Sequence, residues 1–226
     1  MVIMRNLFCL LISTAALAHA GPPARIEIAY EMTRNGLAMA ETLEQLEHSA
    51  GRYQLVETWS GRGLFALLGT IKRTSRGTIA ADGSRPDEFS DERTGREPAR
   101  AWFDWKAKTL TMQYRDWPSV EPLPPNAQDR LSFLLALSFL PGRAETVNYA
   151  IFDGRGQTRH EYRVSGRERL KTPAGEFDTV VVERTSGNDA AQLWLAPELG
   201  HLPVRLLVVQ KDGTRLDQVA IRVTRP

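Results

Sequence analysis

The chain has 226 residues, of which 29 are lysine or arginine and 27 are aspartate or glutamate, so its formal net charge is +2. The two signs are interspersed, and no polybasic tail indicates binding to nucleic acid or to anionic lipid. The length suits one large β domain as well as two small ones, and a chain of this size can bury a core of its own.

The first twenty residues have the pattern of a cleavable export signal. A short positive start precedes the apolar run that begins with Leu7–Ile12, and Ala18-His19-Ala20 is a small-x-small cleavage site. The run is too short to cross a bilayer core, which needs about 20 residues. We therefore predict a signal peptide over 1–20 and a mature chain over 21–226. This chain would be periplasmic, with no transmembrane segment after cleavage.

Cleavage would also remove the single cysteine, Cys9, and the charge of Arg5, which leaves +2 − 1 = +1. Cys9 lies inside the apolar run and not after a small residue at its end, so the pattern does not favour a lipoprotein. The mature chain would have no disulfide, no thiol nucleophile and no thiolate metal ligand. Its own core would have to hold it together.

From Arg25 onward apolar and polar residues alternate, which is typical of antiparallel strands with one face on a core. Asn35-Gly36, Asp82-Gly83 and Asp212-Gly213 predict tight turns, because these pairs accept the positive φ that hairpins need. Regular strands of this kind predict a single all-β domain, a curved antiparallel sheet that forms a partly open barrel. Its N-terminal strand set spans 25–116 and its C-terminal set 145–225. The alternating apolar positions are Ile26, Ile28, Tyr30, Met32, Leu110, Met112, Tyr114, Tyr149, Ile151, Val180, Val182, Leu193, Leu195, Val204, Leu206, Val208, Val219, Ile221 and Val223.

Residues 37–48 admit two interpretations. Their alanine, leucine and glutamate content favours a helix by propensity. However, they follow the Asn35-Gly36 turn and precede the strand-like residues Tyr53–Trp59. We predict a strand here and keep a helix as the alternative.

A proline-rich connector over 117–125 precedes the one clear helix, which we place at 126–140 between the two strand sets. Asn126 is a suitable N-cap, and Asp129 complements the N-terminal end of the helix dipole. Pro141-Gly142 provides the stop signal.

This helix is apolar nearly all round, which predicts that it is buried against the sheet. Leu134 and Leu135 are the side chains that we expect in the core. A helix in this position would fill part of the space that a curved sheet encloses.

Four segments of the chain follow one another in a recognisable order and spacing. They are Ser90–Gly95 with Phe103–Trp105, Pro124–Ser132, Thr172–Thr179, and Leu193–Pro197 with Leu202–Arg205. Together they resemble the bacterial domain-of-unknown-function family numbered 3108 (DUF3108), over nearly the whole mature chain. The resemblance implies a periplasmic, mostly β protein with a curved sheet around a helix, broadly like the open half-barrels of periplasmic lipoprotein carriers. It implies no activity.

No catalytic or metal constellation stands out. The chain has no Gly-x-Ser-x-Gly elbow, and His48, His160 and His201 stand far apart without metal-ligand spacing. Asp91 and Glu92 belong to an acidic run that could flank a glycosidic bond, but we interpret the run as a solvated charged turn. We therefore predict no enzyme activity, no metal site and no cofactor.

One apolar stretch, Gly63–Gly69, is bracketed by glycines and follows Trp59. It is either a buried corner at one end of the sheet, a mobile lip on an apolar cavity, or a patch that touches lipid. Tryptophans would be bulky walls for a half-open sheet. The candidate ligand-binding residues are Trp59, Leu64, Phe65, Leu68, Trp105 and Trp194.

These patterns lead to three functional hypotheses. The first is a non-enzymatic periplasmic binding protein that holds a lipid, an acyl chain or another envelope ligand in an apolar groove. The second is a structural or assembly protein of the envelope with no small-molecule ligand, its groove filled by the helix. The third is an envelope hydrolase that works through Asp91 or Glu92. We expect a monomer without a nucleic-acid partner.

Overall fold

The computed structural model describes residues 22–80, 83–140 and 146–225. Within them the chain forms one sheet of 15 strands that is not closed, and one short α-helix. The predicted fold class, a mostly β protein with a curved open sheet and a single buried helix, is confirmed. The predicted signal peptide and its Cys9 lie outside the described residues. In the described part, no helix is long and apolar enough to cross a membrane.

The strands follow one another with short connections, and all neighbouring pairs except one are antiparallel. The exception is the short pair β9 and β10, which is parallel. The elements are β1 (Arg25–Arg34), β2 (Leu37–Ser49), β3 (Arg52–Gly61), a 3-10 turn (Gly63–Leu68), β4 (Thr70–Ala80), β5 (Gly83–Arg93), β6 (Ala99–Asp104), β7 (Thr109–Tyr114), β8 (Trp117–Pro122), β9 (Ala127–Asp129), α1 (Ser132–Leu137), β10 (Val147–Phe152), β11 (Gln157–Thr172), β12 (Gly175–Arg184), β13 (Ala190–Ala196), a 3-10 turn (Pro197–Leu199), β14 (Leu202–Val209) and β15 (Arg215–Thr224).

The order of strands across the sheet is β8-β7-β6-β5-β4-β3-β2-β1-β15-β14-β13-β12-β11-β10-β9. Two meanders, one from each end of the chain, therefore join where β1 pairs with β15, with Glu31 opposite Val219. The free edges of the sheet are β8 and β9.

Residues 37–48 lie in a strand, as predicted, although their propensity favours a helix. β2 pairs with β1 on one side and with β3 on the other, so backbone bonding on both edges outweighs local preference. Ala40, Thr42, Glu44 and Leu46 point to the buried face.

The helix is shorter than the predicted 126–140. Residues Ala127–Asp129 form β9 and pair with β10, with Ala127 opposite Ala150. The carboxylate of Asp129 then accepts hydrogen bonds from the backbone N–H groups of Leu131 and Ser132, at 2.7 and 2.8 Å, and so caps the helix. The side chain of Asn126, the predicted cap, donates instead to the carbonyl of Asn148.

The predicted connector over 117–125 also contains a strand, β8, which pairs with β7. Its prolines, Pro118 and Pro122, cannot donate backbone hydrogen bonds. They are tolerated because β8 is an edge strand with a partner on one side only.

The sheet curls until β9 and the β10–β11 turn meet β4, β5 and β6, along a line of contacts that we call the seam. On one side of the seam lie Ser75, Ser84, Asp91 and Arg100; on the other lie Gln128, Asp129, Gly154 and Arg155. Side chains, not paired strands, join the two sides: the amide of Gln128 donates to the carbonyl of Ser84 at 2.9 Å, and the hydroxyl of Ser75 donates to Asp129 at 2.5 Å.

A close backbone approach completes the seam. A Cβ atom on Gly154 would lie 2.7 Å from the backbone nitrogen of Arg100, so a larger residue would push the β10–β11 turn away from β6. Nearby, the rings of Phe103 and Phe152 pack edge to face with centroids 6.1 Å apart.

The helix lies inside this curl, against β5, β9 and β14. Leu134 and Leu135 are 8% and 0% exposed, which confirms their prediction as core residues. Since the space around them is enclosed by several strands, it cannot collapse easily when a side chain is removed.

We expect Leu135→Ala to lower the free energy of unfolding by about 2–5 kcal/mol, because truncation of a buried leucine loses contacts and leaves a cavity. Urea denaturation measures this change. Leu67→Ala is the matched control, since Leu67 is 90% exposed. Equal effects of the two substitutions would show that α1 does not belong to the core.

Candidate functional site

The glycine-bracketed segment forms a 3-10 turn, Gly63–Leu68, between β3 and β4. Leu64 and Leu67 are 87% and 90% exposed, whereas Phe65 is half-buried. A fully buried corner is therefore wrong for Leu64 and Leu67. The segment projects these two leucines into solvent.

The glycines around this turn are required by packing as well as by conformation. A Cβ atom on Gly61 would lie 2.0 Å from the carbonyl oxygen of Phe65, and one on Gly69 would lie 2.5 Å from the Cβ of Thr94. Gly69 also has a φ of 73°. These contacts fix the turn against its neighbours.

A third exposed leucine lies at the same end of the sheet. Leu37, at the start of β2, is 72% exposed. The two regions adjoin, because the backbone N–H of Arg62 donates to the carbonyl of Met39 at 2.8 Å. We call Leu37, Leu64 and Leu67 the apolar tip.

The charges beside the apolar tip are two basic and two acidic when Arg34, which lies opposite Leu37, is counted with Arg62. Arg62 forms an ion pair with Glu41 and lies 3.9 Å from Glu31. Both pairs are solvent-exposed, so each contributes little to stability. Their effect is to leave little net charge near the leucines.

The six predicted ligand-binding residues lie on three parts of the chain, and two of them, Trp105 and Trp194, contact the same hydrophobic core. Trp59 is buried on β3, next to the turn that carries Leu64, Phe65 and Leu68; the side chain of Leu68 lies outside the described part. Trp105 follows β6 and donates to the carbonyl of Pro86 at 2.7 Å. Trp194, on β13, donates to Glu168 at 2.9 Å beneath the guanidinium of Arg205. The structure does not bring the six together around one groove.

The space left between α1 and strands β1–β3 is small. It amounts to about 20 Å³, whereas ligand pockets usually measure some 300–1,000 Å³. A volume of this size holds about one water molecule. Its lining consists of Ile26, Ile28, Glu44, Leu46, Leu55, Leu134, Leu135, Leu202 and Pro203.

Four charged side chains cross the buried face on adjacent strands and form an ionic ladder. Glu44 on β2 lies opposite Glu57 on β3, Glu57 opposite Arg73 on β4, and Arg73 opposite Asp91 on β5. Each of the four is at most 8% exposed. Arg73 forms an ion pair with Glu57, and its Nε lies 3.7 Å from Asp91.

Asp91, which has no exposed surface, is surrounded by three guanidinium groups. It accepts hydrogen bonds from Arg93 at 2.7 Å and from Arg155 at 2.8 Å, in addition to its pairing with Arg73. Burial alone raises the pKa of Asp91, but these hydrogen bonds and the charge of Arg73 outweigh burial and lower it to about 2. Asp91 is therefore ionised at neutral pH and has no proton to donate as a general acid.

The predicted solvated turn over Asp91 and Glu92 is wrong, because both residues lie on β5, which extends to Arg93. The alternation of apolar and polar residues already indicates these buried charges, but the interpretation of the sequence missed them. Glu44, Glu57 and Asp91 occupy the inward phase of their strands, where apolar residues are expected. A charge in that phase requires a partner across the sheet.

Glu44 lies at the other end of the ionic ladder, beside the small cavity. Burial and the negative charge of Glu57 raise its pKa to about 8, although Tyr30 and Gln218 donate weak hydrogen bonds to it, both at 3.4 Å. Tyr30 gives its stronger bond to the carbonyl of Pro203, at 2.8 Å.

His48 and His160 contact different partners. The ring of His48 contacts the carbonyl of Pro22 at 2.8 Å, and the ring of His160 contacts the hydroxyl of Tyr162 at 3.2 Å. Within the described ranges, no three histidine, cysteine, aspartate or glutamate side chains form a group that could hold a metal ion.

Comparison with known proteins identifies the family. The family described as "Protein of unknown function (DUF3108)" matches residues 29–219. The chain belongs to this family. The resemblance carried by the four sequence segments is thereby confirmed, and no curated protein matches this DUF3108 chain significantly.

Two solved structures are similar to this DUF3108 chain at low identity. One, provisionally named a lipoprotein of Parabacteroides distasonis, has a TM-score of 0.40 and 11% identity, and the match covers 91% of this chain and 98% of that chain. The other is a provisionally named exported protein of Bacteroides fragilis with a YmcC-like fold. It has a TM-score of 0.34 and 10% identity, and the match covers 91% of this chain and 97% of that chain. Both likenesses are distant, and no functional conclusion follows from them.

Removal of Asp91 should destabilise the fold strongly, because it leaves the guanidinium groups around it without their shared counterion. We expect Asp91→Ala to lower the free energy of unfolding by about 3–5 kcal/mol. Asp87→Ala is the matched control on the same strand, where the exposed pair with Arg52 should contribute no more than about 1 kcal/mol. Similar losses for both variants would contradict a structural role for the ionic ladder.

Glu44 should make the stability of the protein depend on pH. The unfolded carboxyl group titrates near its model value of 4.5 and the folded one near 8, so between these values folding takes up a proton. The free energy of unfolding should then fall as pH rises, with a slope of up to about 1.4 kcal/mol per pH unit from this group.

Glu44→Gln removes this titration, so the variant should gain stability relative to the unmodified protein as pH rises from 5 to 8. Urea midpoints across this range measure the difference. Glu47→Gln, on the exposed side of the same strand, should show a constant difference. If the stability difference between Glu44→Gln and the unmodified protein is also independent of pH, the raised pKa of Glu44 is refuted.

Proposed function

We propose that this DUF3108 protein is a non-enzymatic envelope protein that contacts lipid from outside, through the apolar tip. The observation that supports the proposal is the exposure of Leu64 and Leu67, at 87% and 90%, on a turn fixed by packing. Large apolar side chains exposed together on a soluble surface commonly mark an interaction site. The predicted signal peptide would deliver the chain to the periplasm, where membrane surfaces are close.

The interior favours a contact at the surface over an enclosed ligand. The space between α1 and β1–β3 is about 20 Å³, and the leucines of α1 occupy the region where an acyl chain would lie. An acyl chain could enter only if α1 moved. The apolar tip needs no such rearrangement, because its side chains are already in solvent.

The expected contact is weak and reversible. Full burial of one leucine side chain contributes about 1.5–3 kcal/mol, and part of this is lost to the cost of association. A single myristoyl chain already gives only marginal membrane binding, so three leucines should give no more. Such a protein would sample a membrane surface without being anchored to it.

The contact should also be insensitive to lipid charge. Arg62 and Arg34 balance Glu41 and Glu31 beside the tip, and the mature chain would carry a formal charge of +1. Zwitterionic vesicles should therefore suffice, and moderate salt should change binding little, because salt screens charge interactions and leaves apolar burial intact.

The test is co-sedimentation of the mature chain with zwitterionic phosphatidylcholine vesicles. We expect the double substitution Leu64→Glu with Leu67→Glu to reduce the partition coefficient at least tenfold, because carboxylates resist transfer into the acyl region. The control is Val120→Glu, at a 67% exposed position on edge strand β8. Unchanged binding by the double variant, or an equal loss with Val120→Glu, would contradict the proposal.

A further inference from the structure

β11 is longer than the neighbour that covers it. β10 pairs with Gln157–Tyr162, and the remaining residues, Arg163–Thr172, pair with β12 alone. No other described strand pairs with this part of β11 on its outer side. We call Arg163–Thr172 the open edge of β11. Residues Arg163–Arg169 within it are solvent-exposed.

The open edge is held in place from one face. Leu170 and Thr172 are each 7% exposed, and Glu168 accepts a hydrogen bond from the indole of Trp194. A register shift between Val164 and Gly166 interrupts the strand, and from Gly166 to Thr172 the pairing with β12 is regular. This regular part is preorganised, so little conformational entropy would be lost when another strand pairs with it.

The opposite face of the open edge carries a row of basic side chains. Arg167, Arg169 and Lys171 are exposed. Across the hairpin, Arg169 lies opposite Asp178 and Lys171 opposite Glu176, and Arg169 forms an exposed ion pair with Glu176 at 3.1 Å. Arg167 lies opposite Val180, so it has no acidic residue directly across the hairpin. On its outer side the described chain places no acidic strand.

A surface hollow of about 360 Å³ lies along the same face. The side chains of Arg167 and Arg169 line it together with those of Glu168 and Asp178, beside Thr179, Val180 and Pro197. It offers space for a side chain of a strand added next to β11, and its lining carries two guanidinium groups and two carboxylates.

We propose that the open edge of β11 binds an extended acidic segment of a partner protein, which adds to the sheet as a further strand. Backbone hydrogen bonds to the edge would supply affinity, and pairing of carboxylates with Arg167, Arg169 and Lys171 would supply specificity. Each favourable cross-strand pair contributes about 0.2–1 kcal/mol.

The same charges exclude a second copy of this chain as the occupant. Two open edges placed side by side would set one basic row against another, and like charges directly opposite destabilise a strand pair. Basic side chains on an edge discourage indiscriminate pairing in general. At the open edge of β11, the basic side chains therefore favour a partner strand that is acidic.

The probe is a synthetic peptide of alternating threonine and glutamate, titrated into the mature chain by calorimetry. We expect binding of this peptide and none of its threonine–lysine counterpart. A version of the acidic peptide with alternate backbone nitrogens methylated keeps the charge but cannot pair as a strand, and it should bind at least tenfold more weakly. Since methylation alters the peptide alone, this comparison does not depend on the folding of any variant.

On the protein, the double substitution Arg167→Glu with Arg169→Glu should weaken binding of the acidic peptide at least tenfold. Lys106→Glu with Lys108→Glu, in the exposed β6–β7 turn, has the same change of charge and should leave affinity within twofold. The peptide should slow amide exchange within Gly166–Thr172. The Leu64→Glu, Leu67→Glu protein should still bind it, because the open edge and the apolar tip are separate.

Three results would overturn the proposal. One is the absence of binding at millimolar peptide. Another is equal affinity for the methylated and unmethylated peptides, which would indicate attraction between charges without strand pairing. The third is slowed exchange at β8 or elsewhere, with no change at the open edge.

Discussion

The fold depends on the contacts that hold an open 15-stranded sheet in its curl, because the edge strands, β8 and β9, do not pair with each other. Side chains at the seam take the place of a backbone ladder. Arg155 reaches Asp91 at 2.8 Å across it, and Ser75 reaches Asp129 at 2.5 Å. Because these groups are buried, each needs its partner, and the loss of one leaves a charge or a dipole without compensation. The seam is therefore specific in geometry, whereas an all-apolar contact would tolerate sliding.

Asp129 links the seam to the helix inside the curl. Its carboxylate accepts a hydrogen bond from Ser75 across the seam and two from the start of α1, so the same group that joins the edges also positions the helix. Leu134 and Leu135 then fill the curl and leave a cavity of about 20 Å³. Both of the binding sites that we propose, the apolar tip and the open edge of β11, therefore lie on the surface.

Sequence patterns predict most of this fold and little of its candidate site. Alternation of apolar residues is local, so it identifies most of the strands, and the apolar run identifies Leu134 and Leu135 as core. The strand β2 follows from its flanking turn, whereas the sequence predicts a connector at β8 and a helix at β9. Strand pairing is not local. The ionic ladder joins Glu44 to Asp91 across four strands, and the strand at Ala127–Asp129 forms because β10, much later in the chain, pairs with it. The exposure of Leu64 and Leu67 likewise depends on how the turn packs against Thr94. Secondary-structure propensities do not predict such a contact.

The central claim is that α1 fills the space inside the curled sheet, so that lipid binds at the surface and is not enclosed. Native mass spectrometry of the protein purified from the bacterial envelope tests this claim directly. The account predicts the mass of the chain from residue 21 onward and no retained lipid. One lipid or acyl chain per protein, retained through purification and lost only on unfolding, would contradict it.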